Sequence, residues 1–157
     1  MSENELNEYI TLYRTTVFRV AFNYLKNHED AEDISQDVFV KLYTCEKQFS
    51  DSENVKAWLI RVTINLCKNQ LRSAWHRSRC ELPQDIPCEN SDYSIMQDCI
   101  HWLSPDYSAV IYLFYYEGYS VKEIAKLCGI SGVAVRARLS RGRAKLKEML
   151  EGGKHNE

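Results

Sequence analysis

The chain of 157 residues (18.4 kDa) has room for one domain or two small ones, and none for a large enzyme with a separate cofactor domain. Hydrophobic residues at 45% and charged residues at 27% exclude wholesale disorder, and three prolines with six glycines are too few for a run of tight β-hairpins. The net charge of −2 hides a segregated pattern: residues 29–37 hold five acids and no base, whereas residues 54–80 and 136–147 each hold six bases and no acid. Two basic stretches suggest two footprints on a polyanion.

Apolar residues at 6, 9, 10, 13, 17, 20, 21 and 24 return to one helical face, so the spacing predicts a long amphipathic helix over 5–26, broken at Asn27, His28 and Glu29. Ala31, Ile34, Val38 and Leu42 predict a second helix over 30–43. Leu59, Val62 and Leu66 are expected to line the inner face of a third, running to about Arg72. The stretch from Cys80 to Tyr93, with Pro83, Pro87 and four acids, reads as a linker. Beyond it, Ile95, Cys99, Ile100 and Leu103 resume helical spacing, and Ser104-Pro105-Asp106 starts a helix that carries Val110, Leu113 and Phe114 inward. Ser120 and Glu123 form a capping box, Gly129 supplies a left-handed turn, Ser131 caps the last helix, and Val135, Leu139 and Leu146 give it an inner face. The expected fold is all-α: two small helical domains, 1–78 and 94–152, joined by a flexible acidic linker at 79–93, with a tail at 153–157.

Ala125, Gly129 and Val135 have the spacing of a helix-turn-helix. With Val135 inward, Val133, Ala134, Arg136, Ala137, Ser140 and Arg141 project outward, and Arg138, Arg143 and Lys145 fall on the flanks. Small outward residues let a helix sink into a major groove, arginine pairs with guanine edges, and flank cations suit phosphates. On the third helix Arg61, Asn65, Lys68 and Arg72 make one exposed stripe with Trp58 a turn earlier. That combination suits melted nucleic acid, where bases stack and phosphates are neutralised. A core tryptophan beside a wet cationic face fits the same spacing, and spacing alone does not choose. Asp33, Gln36, Asp37 and Val40 form an outward acidic stripe on the second helix. It repels DNA and suits a basic protein helix, although acids in a first turn are also favoured by the helix dipole.

No paired carboxylates, nucleophile with base, or phosphate loop occurs, so neither catalysis nor a cofactor is expected. Of the six cysteines none forms a C-x-x-C pair; His76, Cys80 and Cys88 are the only zinc-like cluster, and their spacing fits no usual ligand set, so buried or loop thiols are expected. The N-terminus lacks the basic start and apolar stretch of a secretory signal, and no apolar run is long enough to span a membrane. A cytoplasmic protein with reduced thiols is expected.

The blocks "LYRTTVFRVAFNYLKNHEDAEDISQDVFVKLY", "AWLIRVTINLCKNQLR" and "LSPDYSAVIYLFYYEGYSVKEIAKLCGISGVAVRARLSRGRAKLKEML" resemble, in order and over most of the chain, bacterial RNA polymerase sigma factors of the extracytoplasmic-function type. The resemblance implies that the helix with Asp33, Gln36, Asp37, Phe39 and Val40 grips the clamp coiled coil of the polymerase β′ subunit. It also implies that the loop 49–54, with Trp58, Arg61, Asn65, Lys68 and Arg72, holds the melted minus-ten strand. The helix with Gly132, Val133, Ala134, Arg136, Ala137, Arg138, Ser140, Arg141 and Arg143 would read the minus-thirty-five element. Implied partners are core RNA polymerase (β′ clamp and β subunits), promoter DNA and an anti-sigma protein. Two departures stand out: Val133-Ala134 follows Gly132 where the family usually has Gly-Thr, and Ser50, Asp51, Ser52 and Glu53 replace the usual basic and glycine residues of the loop. The alternative is a free-standing helix-turn-helix transcriptional regulator, in which an acidic stripe followed by an acid-free aromatic one would serve no purpose.

Overall fold

The computed structural model describes residues 1–77 and 92–155, which form seven α-helices in two compact units, Met1–Gln84 and Asp85–Glu157. The predicted linker lies largely outside the described residues. Among the described residues no helix is long and apolar enough to cross a membrane.

In the first unit α1 (Glu3–Leu25) starts at Ser2, whose hydroxyl accepts from the Glu5 N–H. Its inner face is Val17, Val20, Ala21, Tyr24 and Leu25, and it packs against both α2 (His28–Thr44) and α3 (Ser52–Arg77). α2 begins two residues earlier than the apolar spacing predicts, because Asn27 caps it: its side-chain oxygen accepts from the Asp30 N–H at 2.9 Å. Ala31, Ile34, Val38 and Leu42 face the core as expected. α3 corrects the sequence reading. Its fully buried face is Val55, Leu59, Ile60, Thr63, Ile64 and Cys67, while Val62 and Leu66 are half-exposed. Leu59 is inward as expected; beyond it Ile60, Ile64 and Cys67 compete with Val62 and Leu66, and contact with α1 and α2 selects the former three. Thr63 tolerates full burial because its hydroxyl donates to the Leu59 carbonyl at 2.6 Å.

The second unit comprises α4 (Asp92–Trp102), α5 (Pro105–Tyr115), α6 (Val121–Cys128) and α7 (Gly132–His155). Ser104 occupies the N-cap of α5, but its carbonyl rather than its hydroxyl takes the Tyr107 and Ser108 N–H groups. α5 is the central element, with Ser108 to Leu113 buried and Phe114 half-exposed, and it packs against α4, α6 and α7. Burial on all sides fits its run of apolar residues.

α1 ends on Lys26 in the left-handed conformation (φ 59°), the one such non-glycine among the described residues, with its N–H donating to the Phe22 carbonyl. A side chain there carries backbone strain of about 1 kcal/mol that glycine does not. Burial also pushes the Lys26 ammonium down from 10.5 to about 7. Between those values the unfolded chain binds more protons than the folded one, so this lysine lowers stability below pH 7 and its penalty fades as the pH rises to 10.5. Lys26→Gly is therefore expected to raise the melting temperature at neutral pH. By about pH 10 the gain should shrink toward the strain component of roughly 1 kcal/mol. An identical gain at both pH values would remove the ammonium from the account.

Candidate functional site

Three outward surfaces remain once the two cores are filled. On α2, Asp33, Gln36, Asp37 and Val40 are all exposed, Val40 to 61%. Phe39 is not part of this outward stripe. It lies one position from Val38 on the inner side and is only 8% exposed, so it backs the stripe from below. Beside the stripe an apolar cleft of about 670 Å³ opens between α1 and α2, lined by Ile10, Phe18, Phe39, Val40 and Tyr43, with Glu32 and Gln36 at the polar end.

On α3 the structure brings Arg61, Asn65 and Arg72 to one exposed face, with Lys68 half-buried beside them. Arg72 already donates to the Asn69 side-chain oxygen at 3.1 Å, one turn back on the same helix. Trp58 is half-buried and lies outside the core set. It meets the Phe49 ring edge-on at 5.8 Å, and the Lys47 ammonium lies over the Phe49 ring, 6.0 Å from its centroid. The acidic loop has a local explanation. Asp51 caps α3 by accepting the Asn54 N–H at 2.9 Å, the Asn54 amide bonds to the Ser50 hydroxyl, and the Tyr13 hydroxyl donates to the Ser52 carbonyl at 3.1 Å.

In the second unit the capping box of α6 is complete: the Ser120 hydroxyl accepts from the Glu123 N–H (3.1 Å) and the Glu123 carboxylate accepts from the Ser120 N–H (2.9 Å). Hydrogen bonding of the carboxylate to Ser120, by its backbone N–H foremost and then its side chain, holds the Glu123 carboxyl below the usual carboxylate range. Gly129 ends α6 at φ 69°, where any other residue is strained, and Ser131 accepts the Ala134 N–H to start α7. Val135, Leu139, Gly142 and Leu146 are turned inward. Outward lie Val133, 73% exposed, with Arg136, Ser140, Arg141 and Arg143, while Gly132, Ala134 and Ala137 are half-buried between them. Arg138 differs from the other flank cations: its side chain is 25% exposed and pairs with Asp106 of α5 at 3.6 Å. Arg143 donates to the Tyr115 hydroxyl at 3.0 Å.

Among the described residues no group of three or more His, Cys, Asp or Glu side chains could hold a metal ion. The side chain of His76, together with Cys80 and Cys88, lies outside the described residues. Cys67 is a core residue whose thiol burial pushes up to about 12, away from thiolate chemistry.

Residues 9–77 match the family model for sigma-70 region 2, and residues 93–146 match that for sigma-70 region 4. The sigma factor CarQ of Myxococcus xanthus is 30% identical over 135 residues, covering 80% of this chain and 78% of CarQ. The ECF sigma factor SigE of Mycolicibacterium smegmatis is 27% identical over 92% of this chain, which spans 61% of that relative's length. The chain belongs to the extracytoplasmic-function sigma factors of bacterial RNA polymerase. A structure of the sigma factor RpoE of Bartonella quintana, in complex with its anti-sigma factor NepR, shares the fold at a TM-score of 0.79, with 24% identity over 94% of this chain and 97% of that one.

A sigma factor is a regulatory rather than a catalytic protein, which agrees with an architecture of faces and caps. Sequence reasoning missed two clefts formed by the described residues of this sigma factor. The second, about 550 Å³, lies among α4, α5 and α7 and is lined by Met96, Ile100, Ile111, Tyr115, Leu146 and Leu150. Each cleft is shared between separate helices, so no single periodicity reports it.

The orientation of α7 is set where it crosses α5. A Cβ placed on Gly142 would lie 3.1 Å from Ile111 Cγ1, 3.2 Å from Ile111 Cδ1 and 3.5 Å from Tyr107 Cβ. Gly142→Val puts a branched side chain into that contact and is expected to destabilise the sigma factor by about 2 kcal/mol through overpacking. Urea unfolding of the full chain measures this, and an unchanged midpoint would show that Ile111 simply moves aside.

Proposed function

We propose that this chain docks on core RNA polymerase through α2, holds the melted minus-ten strand with α3, and reads the minus-thirty-five element with α7. What carries the reading is the segregation of charge by face: an acidic, partly apolar stripe and an acid-free stripe share one core, and a second core presents a basic helix-turn-helix. Asp33, Gln36, Asp37 and Val40 offer carboxylates and a methyl-rich contact to a basic coiled coil of the β′ clamp, with Phe39 supporting them. Arg61, Asn65, Lys68 and Arg72 offer cations and an amide to a single strand, and the Trp58–Phe49 pair offers an aromatic edge where a base can stack. Gly132, Val133, Ala134 and Ala137 keep the start of α7 slim enough to enter a major groove. Arg136, Ser140 and Arg141 reach base edges there, and Arg143 meets phosphate. Contacts to the β subunit and to an anti-sigma protein complete the set of partners, the latter supported by the relative solved with NepR. Such a protein works in the cytoplasm, beside the polymerase. Strand opening is driven by binding energy, and the phosphodiester chemistry belongs to the polymerase.

Run-off transcription with purified core polymerase on genomic fragments tests this reading. Discrete transcripts that depend on the chain are expected, and none above core alone would overturn it.

Asp37→Arg is expected to weaken core binding at least tenfold while leaving the fold intact, because an exposed helix position accepts the change but now repels a basic partner. A pull-down with core enzyme measures it, and full retention would reject α2 as the docking face. Arg136→Ala should cost about 1–3 kcal/mol and relax preference at one or two base pairs, read from transcription of a promoter library. If every promoter fell equally, the reading face of α7 would have to be rotated.

A further inference from the structure

Two side chains of α5 reach the cations of α7 in chemically different ways. Arg138 is held by the Asp106 carboxylate at 3.6 Å, whereas Arg143 donates to the Tyr115 hydroxyl at 3.0 Å. Five residues on a helix amount to a rotation of about 140°, so Arg138 and Arg143 sit on opposite flanks of α7. Gly142 lies on Ile111 and Tyr107 between them. The first turn of α5 thus supports one flank of α7 and its last turn supports the other.

The partners differ in what they leave available. A carboxylate compensates the guanidinium charge, and Arg138 is also the least exposed of the α7 cations in contact with α5. Moving Arg138 to a phosphate exchanges one anion for another. A phenol hydroxyl accepts one of the five N–H groups of Arg143 and compensates no charge. It restricts a flexible side chain in advance while leaving the remaining donors for a ligand, and such preorganisation lowers the entropic cost of binding.

We propose that Tyr115 is a positioning residue that holds Arg143 ready for a DNA phosphate, and that Asp106 withholds Arg138, so that the two flanks of α7 engage the promoter unequally. The inference rests on α7 being the promoter-binding helix. It assigns to α5, through Asp106 and Tyr115, control over how many phosphates α7 neutralises.

The test is the salt dependence of promoter binding by holoenzyme, reconstituted from core polymerase and the full chain, on a labelled duplex of a promoter recovered by run-off transcription. Arg143→Ala should weaken binding and lower the log–log salt slope by about 0.9, one phosphate contact. Tyr115→Phe keeps the charge, so it should weaken binding about three- to tenfold with the slope unchanged. The double variant should bind no worse than Arg143→Ala alone. Asp106→Asn should steepen the slope by about 0.9, and adding Arg138→Ala should return it to the parent value. A merely structural role for Tyr115 would add to the Arg143→Ala loss, and additive losses overturn its assignment. An unchanged slope in Asp106→Asn overturns that of Asp106. Failure of the underlying reading looks different: Arg136→Ala, Arg141→Ala and Arg143→Ala would all bind as the parent does, and the present proposal would fall with it.

Discussion

Ile111 packs directly onto the bare Cα of Gly142, and the presentation of every cation on α7 depends on that approach. A helix tolerates an internal glycine at a cost of about 1 kcal/mol in propensity, which makes sense only where something is gained from closeness. What is gained here is a short interhelical distance at one point, with Val135 and Leu139 on one side of it and Leu146 on the other all turned into the same core. Once those four positions are fixed inward, the helical period leaves Val133, Arg136, Ser140 and Arg141 on the outside. The capping box at Ser120 and Glu123, the left-handed Gly129 and the cap at Ser131 set where α6 ends and α7 begins, so local backbone chemistry fixes where the basic helix starts and the buried contacts fix its rotation.

Much of this was legible in the sequence because it is local. Caps, turns and apolar periodicity all act within a few residues, and they returned α1, α2, α5, α6 and the start of α7 at nearly their observed limits. α3 was legible as a helix but not in its rotation. Val62 and Leu66 compete with Ile60, Ile64 and Cys67 for the inner face, and only the positions of α1 and α2 decide between them. The pairing of Arg138 with Asp106 and the contact of Arg143 with Tyr115 were invisible for the same reason, since they join helices far apart in the chain. Phe39 illustrates a residue-level limit: a resemblance carries a role to a position, but exposure decides whether the side chain performs it or supports a neighbour that does.

The two units use one strategy to different ends. Each spends its apolar residues on a single core and leaves polar groups of one sign on a given outer face, so specificity comes from how faces are oriented and not from any reactive group. The acids of the loop before α3 fit this pattern. Asp51 and Ser50 are occupied in fixing the start of the helix, through Asn54.

α1 touches both α2 and α3, and the Tyr13 hydroxyl reaches the Ser52 carbonyl at the very start of α3. In mechanical terms α1 is a chassis: the acidic stripe and the acid-free stripe ride on helices that pack against one rod and against each other, while the seven residues between α2 and α3 supply the cap at Asp51 and the Phe49 ring against Trp58. A load applied to α2 reaches α3 through packed helices as well as through the chain between them. The connecting loop is therefore no free spacer: a change in its length would carry the cap of α3 and the Phe49 ring away from the face they support.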